Sequence, residues 1–266
     1  MKQLVKLNSA RSCLRYLVKI YDIKSINIPY YICPSIKQVL REDSVKINFY
    51  HINMNFMPKV DFNSEDFILY PNYFGICGKN VKILEQKYKN LIVDNAHAFY
   101  AEPSGLASFN SLRKFFQMKY GVMDGAYLYV DNLSDEKFER AENYECDSSI
   151  TYEKMVKNEQ RIDNEPVLLM SETTEKLMDK IDFEQEKSER INKIKRFAEL
   201  YGSLNKLDIS LADGEYPFVY PYYSKNEEIG YELEKQGKLI FRYWEGLPST
   251  FEEYKLYKYL VPIPLY

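Results

Sequence analysis

Histidine is almost missing from this chain: there are two among 266 residues, His51 and His97. Chemistry that needs two or three histidines at one centre is excluded, and serine–histidine catalysis would have to use one of these two. Cysteine is sparse as well. Cys13, Cys33, Cys77 and Cys146 include no pair spaced like zinc ligands, so no metal site is expected. No apolar run is long enough to span a bilayer, and the opening MKQLVKLNS lacks the apolar stretch of a signal peptide. The formal charge is only −3, with both signs interspersed, so nothing marks a nucleic-acid surface. These absences predict a reduced, cytoplasmic, soluble protein that binds neither nucleic acid nor membrane.

What the chain does have is apolar and aromatic material. Hydrophobic residues make up 45% of it, with 25 Tyr and 15 Phe. That suffices for one large domain, or a large and a small one. Residues 9–21 place Cys13, Leu14, Leu17, Val18 and Tyr21 at helical spacing behind Ser9, a suitable N-cap. Short apolar runs follow at 25–29, 45–52, 66–71, 90–94 and 126–130, with helical stretches near 34–42 and 79–88. Strands alternating with helices predict an α/β fold with a large, mostly parallel sheet and helices on both faces. Residues 131–165 read as a polar surface excursion, and 166–202 as one long helix. The tail predicts a small C-terminal α+β domain, with helices near 226–237 and 250–259 among the runs 214–223, 238–244 and 260–266. The expected domains are therefore 1–203 and 204–266.

The segment VDNAHAFYAEPSGLASFNSLRKFFQMKYGVMDGAYLY, residues 93–129, carries the chemistry. Asp94 ends a strand, where ligands bind in open α/β sheets. His97 follows three residues later, and Lys114 twenty residues after Asp94. Pyridoxal-phosphate chemistry needs a lysine for the cofactor aldehyde and a carboxylate to keep the pyridine nitrogen protonated. It also needs hydroxyls and amides for the phosphate, favourably at a helix N-terminus. Lys114, Asp94, Ser108, Ser111 and the helix start Asn8-Ser9-Ala10-Arg11 can supply those parts.

Several segments, in order, resemble the DegT/DnrJ/EryC1/StrS family of sugar aminotransferases, which have the type I pyridoxal-phosphate transferase fold. NSARSCL (8–14) resembles its phosphate-binding helix start, and INIPYYICPS (26–35) the strand and loop that follow. PNYFG (71–75) and VDNAHAF (93–99) resemble the segments leading to the carboxylate. SLRKFF with its downstream DGA (111–126) resembles the cofactor-lysine segment, and FRYWEGLP (241–248) and VPIPLY (261–266) the C-terminal domain. The resemblance makes Lys114 the Schiff-base lysine, Asp94 the pyridine-nitrogen carboxylate and His97 the neighbour of the ring hydroxyl. Ser9 and Ala10 match the phosphate-cradling turn. Ser108 and Ser111 are both open for the phosphate serine, and Tyr31 and Cys33 for the residue on the ring face.

The chain also departs from the family. Ala10-Arg11 replaces a Gly-Thr pair, and Arg11 suits a phosphate or a sugar-nucleotide diphosphate, or is an exposed helix-start residue. Gly125-Ala126 replaces Gly-Gly. The sequence begins almost at the phosphate motif and ends with VPIPLY, which reads as a shortened member. The resemblance implies transfer of an amino group, with glutamate as donor, to a nucleotide-linked keto sugar for surface polysaccharide, in a homodimer. The rivals are other chemistry with the same cofactor and a non-catalytic relative.

Overall fold

The computed structural model describes residues 2–145, 150–225 and 228–266. Cys146 and the first residues of the helix expected over 226–237 lie outside them. The chain opens with a strand that the sequence pattern did not reveal, β1 (Gln3–Leu7), and Ser9 then caps α1 (Ala10–Ile20) by accepting from the Ser12 N–H. β2 (Ser25–Pro29), α2 (Pro34–Glu42) and β3 (Lys46–Tyr50) follow as the apolar spacing predicts. So do β4 (Ile68–Pro71), α3 (Gly78–Lys87) and β5 (Leu91–Asp94). A second unexpected strand, β6 (Ala107–Phe109), precedes α4 (Leu112–Tyr120) and β7 (Ala126–Val130).

These seven strands form one sheet in the order β1-β7-β6-β5-β4-β2-β3. β3, β2, β4, β5 and β6 are parallel, and β7 runs antiparallel to both β6 and β1. The expected mostly parallel α/β sheet is present. Alternating side chains feed two cores. Leu69 and Ile92 point to one face, with Leu14, Leu17, Val39 and Leu40 of α1 and α2. Ile68, Tyr70, Leu91 and Val93 point to the other, with Val81 and Leu84 of α3. Helices therefore cover both faces.

Two expectations need correction. Residues 131–165 are not merely a surface excursion, because they contain α5 (Tyr152–Asp163), capped by Thr151, with Asn158 and Ile162 buried. The long helix expected over 166–202 is two helices, α6 (Glu172–Met178) and α7 (Phe183–Tyr201). Residue 169 instead bridges to Leu7 and Arg140. Ser171 accepts from the Thr174 N–H to start α6, and Asp182 from the Gln185 N–H to start α7. Such local side-chain bonds compete with helix continuation.

The C-terminal unit is a two-stranded antiparallel sheet of β8 (Val219–Tyr223) and β9 (Leu260–Pro264). It carries α8 (Glu228–Lys235) and α9 (Tyr254–Tyr259). Ile194 of α7 is buried with Tyr220, Tyr222, Ile229, Leu233 and Val261, so α7 packs on this small sheet. Residues 238–244 form no strand. They run irregularly toward the large sheet, and Trp244 adopts φ +63°. No helix among the described residues is long and apolar enough to cross a membrane.

Candidate active site

The parallel strands deliver their carboxyl ends to one end of the sheet, and α1, α2 and α4 begin there. None of the three has an acidic residue in its first turn. Their free N–H groups and dipoles therefore make this end electropositive. Gly125 ties two of the helix starts together. Its N–H donates to Asn8 O at 2.7 Å, and its carbonyl accepts from Leu112 N at 3.0 Å. Only glycine suits the position, with φ +103° and a would-be Cβ 2.8 Å from Leu112 Cδ1.

A pocket of about 200 Å³ opens here. It meets a larger cleft of about 560 Å³, and Cys33, Arg113, Lys114, Glu159 and Trp244 line both. Of the ten candidates named from the sequence, Ala10, Arg11, Cys33, Asp94, His97, Ser111 and Lys114 line the smaller pocket. Three do not. Ser9 Oγ is spent capping α1, where it accepts from Ser12 N at 3.1 Å. Tyr31 is buried against Tyr73, with rings 5.9 Å apart and nearly parallel. Ser108 is buried within β6, where it accepts from Ser104 N at 3.4 Å.

Asp94 sits at the last position of β5, and its Oδ1 accepts the Ala96 N–H at 2.9 Å. Burial pushes its pKa up to about 6, although the Ala96 bond and the Lys114 charge pull the other way. His97 is buried, with its ring 4.8 Å from Phe218 and 5.7 Å from Trp244, nearly parallel to the latter. Burial, and then the Lys114 charge, hold it well below the usual histidine pKa, so the imidazole is neutral at pH 7. Gly75, at φ +79°, makes room behind it: a Cβ there would lie 2.4 Å from His97 O. Lys114 stands in the first turn of α4, with Nζ 5.9 Å from the centre of the Tyr243 ring.

Sequence reasoning missed part of the site. Arg113 donates to Glu159 Oε1 at 2.6 Å, and Arg11 donates to Glu159 Oε2 at 2.9 Å and to Ser35 Oγ at 3.0 Å. Asp163 also pairs with Arg11, at 2.8 Å. Burial opposes the charge on Glu159. The Arg113 guanidinium, with Lys114 and Arg11, overrides burial and keeps the carboxyl well below its usual range. The adjacency of Arg113 to Lys114 was a usable signal. Glu159 gave none, since it lies in the stretch 131–165 that reads as a polar surface excursion. Among the described residues no group of side chains is arranged to hold a metal ion.

No protein-family model and no curated protein matches the chain. Solved structures do match it over nearly its whole length. A Helicobacter pylori aminotransferase involved in pseudoaminic acid biosynthesis superposes with a TM-score of 0.69 at 15% identity, covering 99% of this chain and 81% of that one. A sugar aminotransferase from Streptococcus pneumoniae, also solved in PLP and PMP forms, gives 0.67 at 14% identity, over 99% and 81%. A DegT/DnrJ/EryC1/StrS aminotransferase from Brucella abortus gives 0.65 at 12% identity, over 98% and 80%. The fold of this chain is the fold of those enzymes.

Proposed function

We propose that this chain is a pyridoxal-phosphate-dependent aminotransferase of the DegT/DnrJ/EryC1/StrS kind. In this reading it acts on a nucleotide-linked keto sugar, with glutamate as amino donor, in making amino sugars for surface polysaccharide. It works as a cytoplasmic homodimer. One observation carries the proposal. Lys114, Asp94 and the start of α1 meet in one pocket, on a fold shared with sugar aminotransferases.

The donor set fits the cofactor. Asp94 has one oxygen engaged by Ala96 and the other available to a protonated ring nitrogen. The first-turn amides of Ala10 and Arg11, the Ser111 hydroxyl and Arg113 surround the place for a phosphate. Arg11 Nε is buried with no partner among the described residues, so a donor there awaits an acceptor. Cys33 and Ala96 are among the small side chains on the wall. When bound, pyridoxal phosphate supplies the aldehyde that holds the amino group and the ring that withdraws electrons.

Each residue then has a task. Lys114 holds the aldehyde carbon at rest and, once released, moves the proton at the amino-bearing carbon. Asp94 keeps the ring nitrogen protonated by its negative charge. His97, neutral, offers an uncharged ring beside the ring hydroxyl. The larger cleft suits the sugar and its nucleotide. Tyr152 and Phe241 stand with rings 6.2 Å apart and 25° from parallel along its wall, beside Arg242. Flat aromatic faces and a guanidinium are groups that bind bases and diphosphates.

The test is spectroscopic. Wild-type protein purified with pyridoxal phosphate is expected to show the visible band of the lysine-linked cofactor, and Lys114→Ala to lack it. Added glutamate is expected to bleach the band. No band in either protein removes the cofactor assignment, and a band that persists with glutamate removes that donor.

A further inference from the structure

The charges at the pocket already balance. Arg11, Arg113 and Lys114 supply three positive charges, and Asp94, Glu159 and Asp163 three negative ones. A phosphate monoester brings about two more negative charges at neutral pH. Such a ligand competes with the carboxylates that pair with the arginines.

The geometry singles out which one. The arginines belong to the body of the protein: Arg11 is on α1 and Arg113 on α4, with side chains 15% and 8% exposed. Glu159 reaches them from α5, and its side chain is 38% exposed on the solvent side. Its two oxygens each take one guanidinium, as two oxygens of a phosphate do. Ser35 Oγ steadies Arg11 independently of Glu159, and Arg11 Nε has no acceptor among the described residues. A phosphate offers more oxygens than a carboxylate to this set of donors.

We propose that Glu159 stands in for a phosphate group, bridging Arg11 and Arg113 where a phosphate-bearing ligand binds, and that the ligand enters by displacing it and loosening α5. The proposal rests on the reading of the pocket as a cofactor site. The phosphate has two possible sources, the cofactor monoester and the diphosphate of the substrate.

Glu159→Gln tests it by calorimetry with four probes: pyridoxal phosphate, pyridoxal, inorganic phosphate and uridine diphosphate. The variant is expected to bind inorganic phosphate about tenfold more tightly than wild type, since a competing charge has gone. The same gain with pyridoxal phosphate assigns the site to the cofactor, and with uridine diphosphate alone to the substrate. Pyridoxal, without phosphate, is expected to bind both proteins alike. Unchanged or weaker phosphate binding would show that Glu159 merely positions the arginines and would overturn the proposal. So would an equal gain with pyridoxal.

Wild-type protein gives a second readout that needs no variant. Inorganic phosphate is expected to speed amide hydrogen exchange along α5, and no change or slowing overturns the idea. The two readings fail separately. A wild type with the lysine-linked band but no gain in Glu159→Gln sinks only this inference. A phosphate gain without any cofactor band sinks only the cofactor.

Discussion

Asp94 answers two opposed demands, stability and ligand binding. Its pKa rises from 3.8 to about 6 because burial disfavours the charge. The folded chain therefore holds a proton between about pH 4 and 6 that the unfolded chain has released. Its stabilising contribution is present below pH 4 and is lost as pH rises through 6. Asp94→Asn removes that loss and keeps an oxygen for the Ala96 N–H. Denaturant unfolding at pH 7 is expected to show a gain of about 1–2 kcal/mol, discounted for the side chain's partial exposure. Cofactor affinity should move the other way. It should rise with pH through about 6 in wild type, as Asp94 ionises, and be weak and without this step in Asp94→Asn. Asp94, His97 and Lys114 were legible in the sequence because they lie within one short segment that ends a strand and starts a helix. Glu159 was not, since its partners Arg11 and Arg113 lie 148 and 46 positions away. Nothing local distinguishes it from the neighbouring solvated acids.

Among the elements, those with strong apolar periodicity were read to within about two residues: α1, α2, α3 and the central strands. β1 escaped because it is an edge strand of the large sheet, and its burial rises from exposed to buried instead of alternating cleanly. β6 has three residues, too few for any period. The break between α6 and α7 escaped because charged residues run straight through it. What fixes the start of α6 is a distant group, Asp124, which is buried and accepts from Ser171 N at 2.9 Å and Ser171 Oγ at 2.8 Å, and also from Thr174 Oγ1. Asp124→Ala strands these donors away from water. Chemical denaturation is expected to show a loss of roughly 3 kcal/mol, with weakened cofactor binding because Asp124 adjoins the Gly125 tie between α1 and α4. A loss under 1 kcal/mol would mean the donors find other partners.

At the scale of the molecule, the two sheets are not independent. Val219, Leu256 and Leu260 of the small unit are buried in the same core as Tyr70 and Val93 of the large one. Trp244 carries the small unit's chain to the wall of the pocket. The alternation of strands and helices announced the large sheet. That residues 238–244 would run irregularly into the site was hidden, because their aromatic composition suits a strand equally well. The proposed homodimer belongs to this scale too. Light scattering on purified protein is expected to give twice the 31.6 kDa of one chain, and a mass of one chain would remove that part of the proposal.

The reversed strand β7 sets a timetable for synthesis. β1, among the first residues made, pairs along its whole length with β7, and Gln3 pairs with Val130. At about 5–20 residues per second, a ribosome needs roughly 6–25 s to cover that interval. For all of it β1 lacks the strand it pairs with, and the Asn8–Gly125 bond cannot close. The nascent chain therefore carries Asp94 and Lys114 before it has a pocket: the tie between α1 and α4 waits for Gly125 and β7, and Glu159 and Trp244 of the pocket wall come later still.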